Sequence, residues 1–282
     1  MAGTEEDTVA AADDALYVLT AVLLTPAKFP SVLGDDYPEA CAALGLAPLA
    51  DGYGLVLGQD GEGARWTVVI DDVSLVAVAI ASWDCGMEYD LSPDERTVVA
   101  ALPGWPLAVA VAAPGVPEPH DPEPEATDGP ALRPPDTTTW GPAQRRLGAD
   151  EIALQWALWR EQIDDAEFAP APEGAEAAEP ADGGEGSGRN TAAGHGGVRR
   201  VLAEVRAYVE TPPPLGRVRS SFAPGDARTL RADGPGWSLV ARTDDIAFVL
   251  LDDEPGEVLP VGRGPELPGL LEALDKMAVR PS

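Results

Sequence analysis

The middle of the chain limits what the rest can fold into more than any other feature. Residues 116–197 alternate proline with acidic residues between Pro117 and Glu125 and become rich in glycine between Gly183 and Gly188. Proline favours extended conformations and glycine-serine runs are flexible, so neither buries enough apolar surface to offset the loss of chain entropy. We therefore predict an acidic disordered linker over residues 116–197, which separates an N-terminal lobe at residues 1–115 from a C-terminal lobe at residues 198–282.

Charge is spread unevenly over these three segments. Acidic residues outnumber basic ones by 18 to 3 in the first segment, by 17 to 5 in the second and by 13 to 11 in the third, and the whole chain carries a formal charge of -29. A negative field of this size repels phosphate backbones and anionic lipid surfaces. It argues against nucleic-acid binding and membrane docking, and leaves acidic solubilisation or mimicry of a nucleic acid as its explanations.

The cysteines and the first residues indicate the compartment. Cys41 and Cys85 are too few for a disulfide framework and do not have the spacing of a metal site. The acidic run Glu5–Asp7 stands where a signal peptide is basic, and the apolar run at residues 15–25 is too short to span a bilayer. We therefore predict a cytoplasmic protein, and the scarcity of lysine beside abundant alanine, proline and arginine suggests a bacterial source with a GC-rich genome.

Local patterns predict an α+β fold for the N-terminal lobe. Asp36 and Pro38 are typical of a helix start, and Gly45 is typical of a helix end. The apolar residues of Val73–Ala81 would occupy both faces of an extended chain, as in a central strand. In chain order we predict a helix at Val9–Leu24, a helix between Asp36 and Gly45, strands at Gly54–Leu57, Trp66–Ile70 and Val73–Ala81, a helix opened by the capping box Ser92–Glu95, and a strand at Leu107–Ala112.

A second α+β lobe is predicted at residues 198–282, with four strands between two helices. Apolar residues recur at helical spacing at both ends of this lobe. The predicted elements are a helix at Val198–Val209, strands at Ala227–Arg231, Trp237–Arg242, Ile246–Leu251 and Glu257–Val261, and a helix at Glu266–Ala278. Each lobe is thus expected to hold a small antiparallel β-meander flanked by helices.

One stretch of the N-terminal lobe resembles one stretch of the C-terminal lobe. Asp60–Val76 and Asp233–Val249 each contain a glycine turn, a strand opened by tryptophan, an Asp-Asp pair and an apolar segment. Antiparallel meanders share such features in general. The alternative is that the two lobes are divergent copies of one unit.

Groups suited to catalysis are scarce. His120 and His195 both fall in the predicted linker, and a flexible tract cannot hold an imidazole against a substrate. The loop at residues 83–90 is the alternative, because its carboxylates could support a metal-assisted reaction. Its polar side chains are Asp84, Cys85, Glu88 and Asp90. No basic residue stands nearby to favour a reactive thiolate and the spacing is not that of an EF-hand, so we expect no catalytic residue, metal or cofactor.

An amphipathic helix is predicted near residues 150–165, inside the acidic tract. At 100° per residue, one face of this helix carries Ile152, Trp156, Trp159 and Ile163. An apolar face of this size must be covered. It either packs on the chain's own lobes or docks into a groove of a partner protein.

Arginines cluster at the start of the C-terminal lobe. Seven of them stand within residues 199–231, and the first three, Arg199, Arg200 and Arg206, fall on the predicted helix. They are either solvated side chains or a positive surface that meets an acidic partner, which could be the chain's own linker.

These patterns favour binding over catalysis. We predict a non-enzymatic cytosolic module that binds another protein, as an adaptor, chaperone or immunity-type protein does. The predicted partner-binding residues are Ile152, Trp156, Trp159, Ile163, Arg199, Arg200 and Arg206. The alternatives are a carboxylate-based enzyme with its site around residues 83–90, and an acidic nucleic-acid mimic.

Overall fold

A computed structural model describes residues 16–89, 91, 93–127, 129–136, 142–163 and 188–280. The chain divides into two compact units between residues 137 and 138. In the described residues the two units contain six α-helices and two antiparallel sheets, one of four and one of five strands. The predicted α+β class is therefore confirmed.

The N-terminal unit is built on a four-stranded antiparallel sheet with its strands in chain order. The strands are β1 (Tyr17–Leu24), β2 (Tyr53–Gln59), β3 (Arg65–Ile70) and β4 (Val98–Pro103). The helices are α1 (Tyr37–Ala43) and α2 (Val73–Asp84), with 3-10 turns at Ser31–Leu33 and Pro124–Ala126. One core packs α1 against Leu55 and Leu57 of β2, and a second core packs α2 against Val56 and Ile70. Both faces of the sheet are thus covered.

Two predictions for this unit are confirmed by local chemistry. The Asp36 carboxylate accepts a hydrogen bond of 2.9 Å from the backbone N–H of Glu39, which caps the start of α1. The turn between β2 and β3 is closed by Asp60, whose carboxylate accepts bonds from the backbone of Ala64 and from the indole of Trp66. The hairpin therefore forms as its turn residues predict.

The predicted helix at Val9–Leu24 is wrong over its described part. Residues 17–24 form β1, which pairs with β2 from Tyr17↔Gln59 to Leu24↔Tyr53. Residues 9–15 lie outside the described residues. The β-branched and aromatic side chains of this segment suit a pleated surface, and pairing along the whole of β2 outweighs its helical spacing.

The predicted strand at Val73–Ala81 is also wrong, because this segment is helix α2. The Asp72 carboxylate accepts a hydrogen bond of 3.1 Å from the backbone N–H of Leu75 and another from the Ser74 hydroxyl, which starts a helix there. Gly54 lets α2 approach the sheet, since a Cβ at that position would lie 2.3 Å from a Val76 methyl. A segment that is apolar all round fits a buried strand and a buried helix equally well from sequence.

Two further elements predicted near β4 are absent from the described residues. The segment that follows the predicted capping box forms a turn closed by a 2.8 Å bond from the Thr97 N–H to the Asp94 carbonyl, and β4 begins at Val98. Ser92 itself lies outside the described residues. The predicted strand at Leu107–Ala112 is an extended segment without strand pairing, although Leu107 and Val109 pack on the core beside α1.

The C-terminal unit is built on a five-stranded antiparallel meander. Its strands are β5 (Val218–Phe222), β6 (Arg228–Gly234), β7 (Trp237–Arg242), β8 (Ala247–Leu251) and β9 (Leu259–Val261). Its helices are α3 (Pro142–Leu154), α4 (Trp156–Glu161), α5 (Gly188–Glu210) and α6 (Leu267–Met277). Strands β6 to β9 and helix α6 were predicted within a few residues, whereas the helix predicted at Val198–Val209 covers only the second half of α5. Strand β5 was missed, because its sequence Val-Arg-Ser-Ser-Phe has little apolar alternation.

Helices cover both faces of this second sheet. Alternate residues of β7 and β8 face opposite ways, so Leu239 and Val249 pack with α5 and α6, while Val240 and Phe248 pack with α3 and α4. The two central strands are therefore buried on both sides.

The proposed internal repeat is not confirmed. The hairpins β2–β3 and β6–β7 correspond, but the segments after them differ. Asp71-Asp72 leads into helix α2, whereas Asp244-Asp245 leads into strand β8.

The described parts of the predicted linker contact the two sheets. Gln59, which is buried, donates to the Pro117 carbonyl, Asp121 forms an ion pair with Arg65, and the Leu132 N–H donates to the Pro103 carbonyl at 2.7 Å. Helices α3 and α4 pack on the second sheet. Residues 164–187 lie outside the described residues, and the predicted boundaries at 115 and 197 stay a prediction.

Candidate functional site

The amphipathic segment forms two short helices on its own unit. Ile152 is fully buried and Trp156 is 7% exposed, and Trp159 and Ile163 are partly buried against the same core. The Trp156 ring meets Phe248 edge-on with its centroid 5.2 Å away, and its indole N–H donates to Asp245 at 3.2 Å. The four predicted residues thus lie together and pack on the second sheet of their own unit. Their role in binding a partner stays a prediction.

The opposite face of these helices carries exposed leucines. Leu147 is 36%, Leu154 82% and Leu158 56% exposed. The sequence shows them at helical spacing, seven and four residues apart, on the side away from Ile152. Helices α3 and α4 are therefore apolar on two faces, of which one is covered.

A layer of buried arginines lies under α3. Arg145 and Arg146 of this helix are fully buried. Arg145 donates to Asp252 and to Ser238, and Arg146 forms an ion pair with the fully buried Asp233. Neither arginine stands out in the sequence, because both precede the predicted amphipathic helix and their partners Asp252 and Asp233 lie far along the chain.

Asp233 is the centre of this layer. It also accepts a hydrogen bond of 2.9 Å from Arg219, and an Arg231 nitrogen lies 3.7 Å from it, while Arg231 pairs with Asp150. Burial, and then the nearby charge of Arg231, lower the pKa of Arg219 to about 9. Arg219 and Arg231 belong to the predicted basic cluster, and the structure assigns both to the interior instead of the surface.

The three predicted arginines of α5 are exposed but face different neighbours. Arg200 lies 3.4 Å from Asp253, and Arg206 forms an ion pair with Glu266. Arg199 and Arg206 stand three residues before and four residues after Leu202, which places both on the side of the helix that carries Leu202. Arg200 lies on another side of α5.

Leu202 and Arg206 border a small cavity, which we call the α5–α6 groove. It has a volume of about 250 Å³ and is lined by Leu202, Arg206, Val261, Gly262, Gly264, Pro265, Glu266, Leu267 and Leu270. Its floor is aliphatic, and the Arg206–Glu266 ion pair stands at its rim. Arg263 is exposed between the two glycines and donates to the Thr243 carbonyl at 3.1 Å. The sequence pointed to Arg206 but not to the groove. The groove forms only where β9 meets α5 and α6 in the folded unit.

The alternative site at residues 83–90 forms an open pocket in the N-terminal unit. The pocket has a volume of about 510 Å³ and is lined by Trp83, Gly86, Met87, Glu88 and Tyr89. Cys85 is an exposed free thiol, Asp84 and Glu88 are exposed, and Asp90 lies outside the described residues. Across the described part of the chain, no three histidine, cysteine, aspartate or glutamate side chains converge as they would around a metal ion.

The two histidines do not enter either pocket as far as the structure describes them. The His120 ring nitrogens lie 2.9 and 3.1 Å from the carbonyl oxygens of Asp121 and Glu62, and these acceptors raise the pKa of His120 by favouring the protonated ring. The side chain of His195 lies outside the described residues.

Comparisons with family models, with curated proteins and with solved structures found no match for this chain. Within the described ranges, none of the helices combines the length and the apolar character needed to cross a bilayer.

Proposed function

We propose that this chain is a non-enzymatic protein-interaction module of the cytoplasm. In this proposal the α5–α6 groove binds an acidic segment of another protein, which inserts one bulky apolar side chain. The observation that carries the proposal is an aliphatic cavity bordered by the exposed Arg206–Glu266 ion pair.

The size of the groove supports a side-chain anchor. Its volume of about 250 Å³ lies below the roughly 300–1,000 Å³ of pockets that hold drug-sized ligands and cofactors. Protein interfaces, in contrast, are anchored by single large side chains that fill well-packed pockets. Leu202, Leu267 and Leu270 offer such an anchor an aliphatic environment.

The charge at the rim supports an acidic partner. A guanidinium has five N–H donors in a fork, so Arg206 can donate hydrogen bonds to a carboxylate of a partner. Its present partner, Glu266, has a side chain that is 76% exposed. Because exposed ion pairs contribute little, exchange of Glu266 for a carboxylate of a partner costs little. Arg199 lies on the same side of α5 as Leu202, although it does not line the groove.

Peptide binding to the full chain tests this proposal. The probe is a labelled peptide with one leucine flanked by glutamates, and its matched control replaces the glutamates with lysines. We expect only the acidic peptide to bind, and we expect Arg206→Glu to weaken its binding at least about tenfold, since the introduced carboxylate would repel the glutamates of the peptide. Fluorescence anisotropy gives both results.

Three further variants define the surface. Glu266→Gln should strengthen acidic-peptide binding, because it removes the competing carboxylate. Arg199→Glu and Arg200→Glu should weaken binding less than Arg206→Glu does, as neither residue lines the groove. Lys276→Glu is the matched control, because Lys276 is also an exposed base paired with a glutamate of α6. Equal losses in Arg206→Glu and Lys276→Glu would show that binding depends on overall charge and would contradict the proposal.

A further inference from the structure

Helix α2 carries no charged side chain between Val73 and Trp83, in a unit whose residues 1–137 contain 24 acidic and 4 basic residues. Its inner face is buried through Val76 and Ala79. Its outer face exposes Ala77, Val78 and Ala81, and Val78 is 51% exposed. A helix that is apolar all round is normally buried all round, yet among the described residues nothing covers the outer face of α2.

The apolar surface continues past the end of the helix. The open pocket after α2 is lined by Trp83 and Met87, which are 36% and 59% exposed. Methionine and tryptophan are both favoured at protein-binding surfaces, where methionine adapts its shape and tryptophan supplies a large contact area. We call the outer face of α2 together with this pocket the α2 surface.

Carboxylates bound the α2 surface at both ends. Asp71 stands before the helix, and Asp84 and Glu88 stand at its end, all three exposed. No lysine or arginine occurs between residues 66 and 95. Asp84 is also the last residue of α2, where the helix dipole is negative and favours a cation. A positive group bound there would be attracted by these carboxylates and by the negative end of the helix dipole.

We propose that the α2 surface binds a basic amphipathic helix of a partner protein. The apolar side of that helix would cover Val78 and Met87, and its lysine or arginine residues would meet Asp71, Asp84 and Glu88. Charge complementarity decides the occupant. A second copy of this chain would bring the same carboxylates into contact, and an anionic membrane would be repelled. This proposal does not depend on the α5–α6 groove, which lies in the other unit and is proposed to bind an acidic segment.

The test measures binding of model helices to the full chain by fluorescence anisotropy. The probe is a labelled peptide of leucine and lysine with leucines spaced three and four residues apart, and its control has glutamate in place of lysine. We expect the leucine-lysine peptide to bind, the leucine-glutamate peptide not to bind, and added salt to weaken the complex. Equal binding of the two peptides would overturn the proposal.

Paired variants separate the α2 surface from the general negative charge of the chain. Glu88→Lys should weaken binding at least about tenfold, whereas Asp51→Lys, at an exposed acid elsewhere in the unit, should change it less than about twofold. In the same way, Val78→Gln should weaken binding and Leu49→Gln should not, although Leu49 is 45% exposed. Equal effects within either pair would overturn the proposal.

Two controls complete the test. A circular-dichroism melt should show that each variant keeps the fold of the parent protein, so that a loss of binding is not a loss of structure. Vesicles of phosphatidylcholine should not bind. Binding to them that disappears in Val78→Gln would assign the α2 surface to a membrane and overturn the proposal.

Discussion

Helices α2 and α3 each cover one face of a sheet, but they are attached to it in opposite ways. Between Val73 and Trp83, α2 offers only uncharged side chains, and it packs on its sheet through apolar contacts. Helix α3 adds two fully buried arginines, which pair with Asp233 of β6 and with Asp252 directly after β8. Apolar contacts tolerate small shifts, whereas each buried charge must meet its own partner. The ion pairs of α3 therefore fix its position on the sheet.

The helices that cover the two sheets also present different surfaces to solvent. All four faces of the two sheets are covered, yet α2 presents an uncharged surface to solvent in a strongly acidic unit. Helices α3 and α4 cover their sheet with Ile152 and Trp156, and they expose leucines between polar residues. Because the outer face of α2 is exposed at Val78 and is not buried among the described residues, we connect its lack of charge with binding.

The largest effect should follow from removing the centre of the arginine layer. Asp233→Ala leaves Arg146 and Arg219 buried without their shared carboxylate, and loss of one partner of a buried ion pair costs about 3–5 kcal/mol. We expect the free energy of unfolding of the C-terminal unit to fall by this amount. Hydrogen exchange of the β6 and β7 amides measures the change, and the β2 and β3 amides are the internal control.

Asp233→Asn sharpens this prediction. The amide keeps the shape of the aspartate but not its charge, so it should destabilise the unit nearly as much as alanine does. Full stability of Asp233→Asn would show that the layer is held by shape and not by charge.

A smaller effect is expected from Trp156→Ala. Large-to-small substitution of a buried tryptophan costs about 3 kcal/mol or more, and Trp156 keeps a solvent-exposed edge, which places it at the lower end of this range. Trp83→Ala at the end of α2 should cost less than about 1 kcal/mol, because this ring is 36% exposed. Urea unfolding followed by circular dichroism compares the two variants. Equal losses of unfolding free energy in the two variants would contradict the contrast between the buried Trp156 and the exposed Trp83.

A smaller effect than that of Trp156→Ala is expected at the cap of α2. Asp72→Ala removes the carboxylate that accepts from the Leu75 N–H, and loss of such a cap costs about 1 kcal/mol. The hydrogen bonds from the Ser74 hydroxyl and from the Leu75 backbone lower the pKa of Asp72. Because the folded pKa is depressed, the contribution of the cap is present above the unfolded pKa of about 4 and is lost as the pH falls through the lower folded value.

Urea unfolding at several pH values checks this prediction. The parent protein and Asp72→Ala should differ at neutral pH and converge in acid. A difference that stays constant down to the lowest pH would show that the carboxylate charge has no part in the cap. Asp51→Ala is the control, since Asp51 is an exposed aspartate of the same unit that starts no helix.

Prediction from sequence succeeded where a local signal and the final structure agree. Asp36 caps α1 and the glycine turn before Trp66 forms a hairpin, because these signals act within a few residues. It failed at α2, where an uncharged apolar segment fits two kinds of buried element. It failed at β1, where pairing with β2 outweighed helical spacing. The candidate residues followed the same rule, since the amphipathic spacing of Ile152 and Trp156 was visible and the sheet that covers them was not.

The sequence by itself determined the α+β class, the uneven charge, most elements of the C-terminal unit and the amphipathic face of α3 and α4. These depend on contacts within one element or one turn. Only the tertiary structure decided that Arg145, Arg146 and Arg219 are buried, that Arg206 stands at a groove, and that α2 has an uncovered face. An arginine has the same local pattern whether it is solvated or paired inside, because its partner, such as Asp233 for Arg146, lies far along the chain and is brought near only by folding.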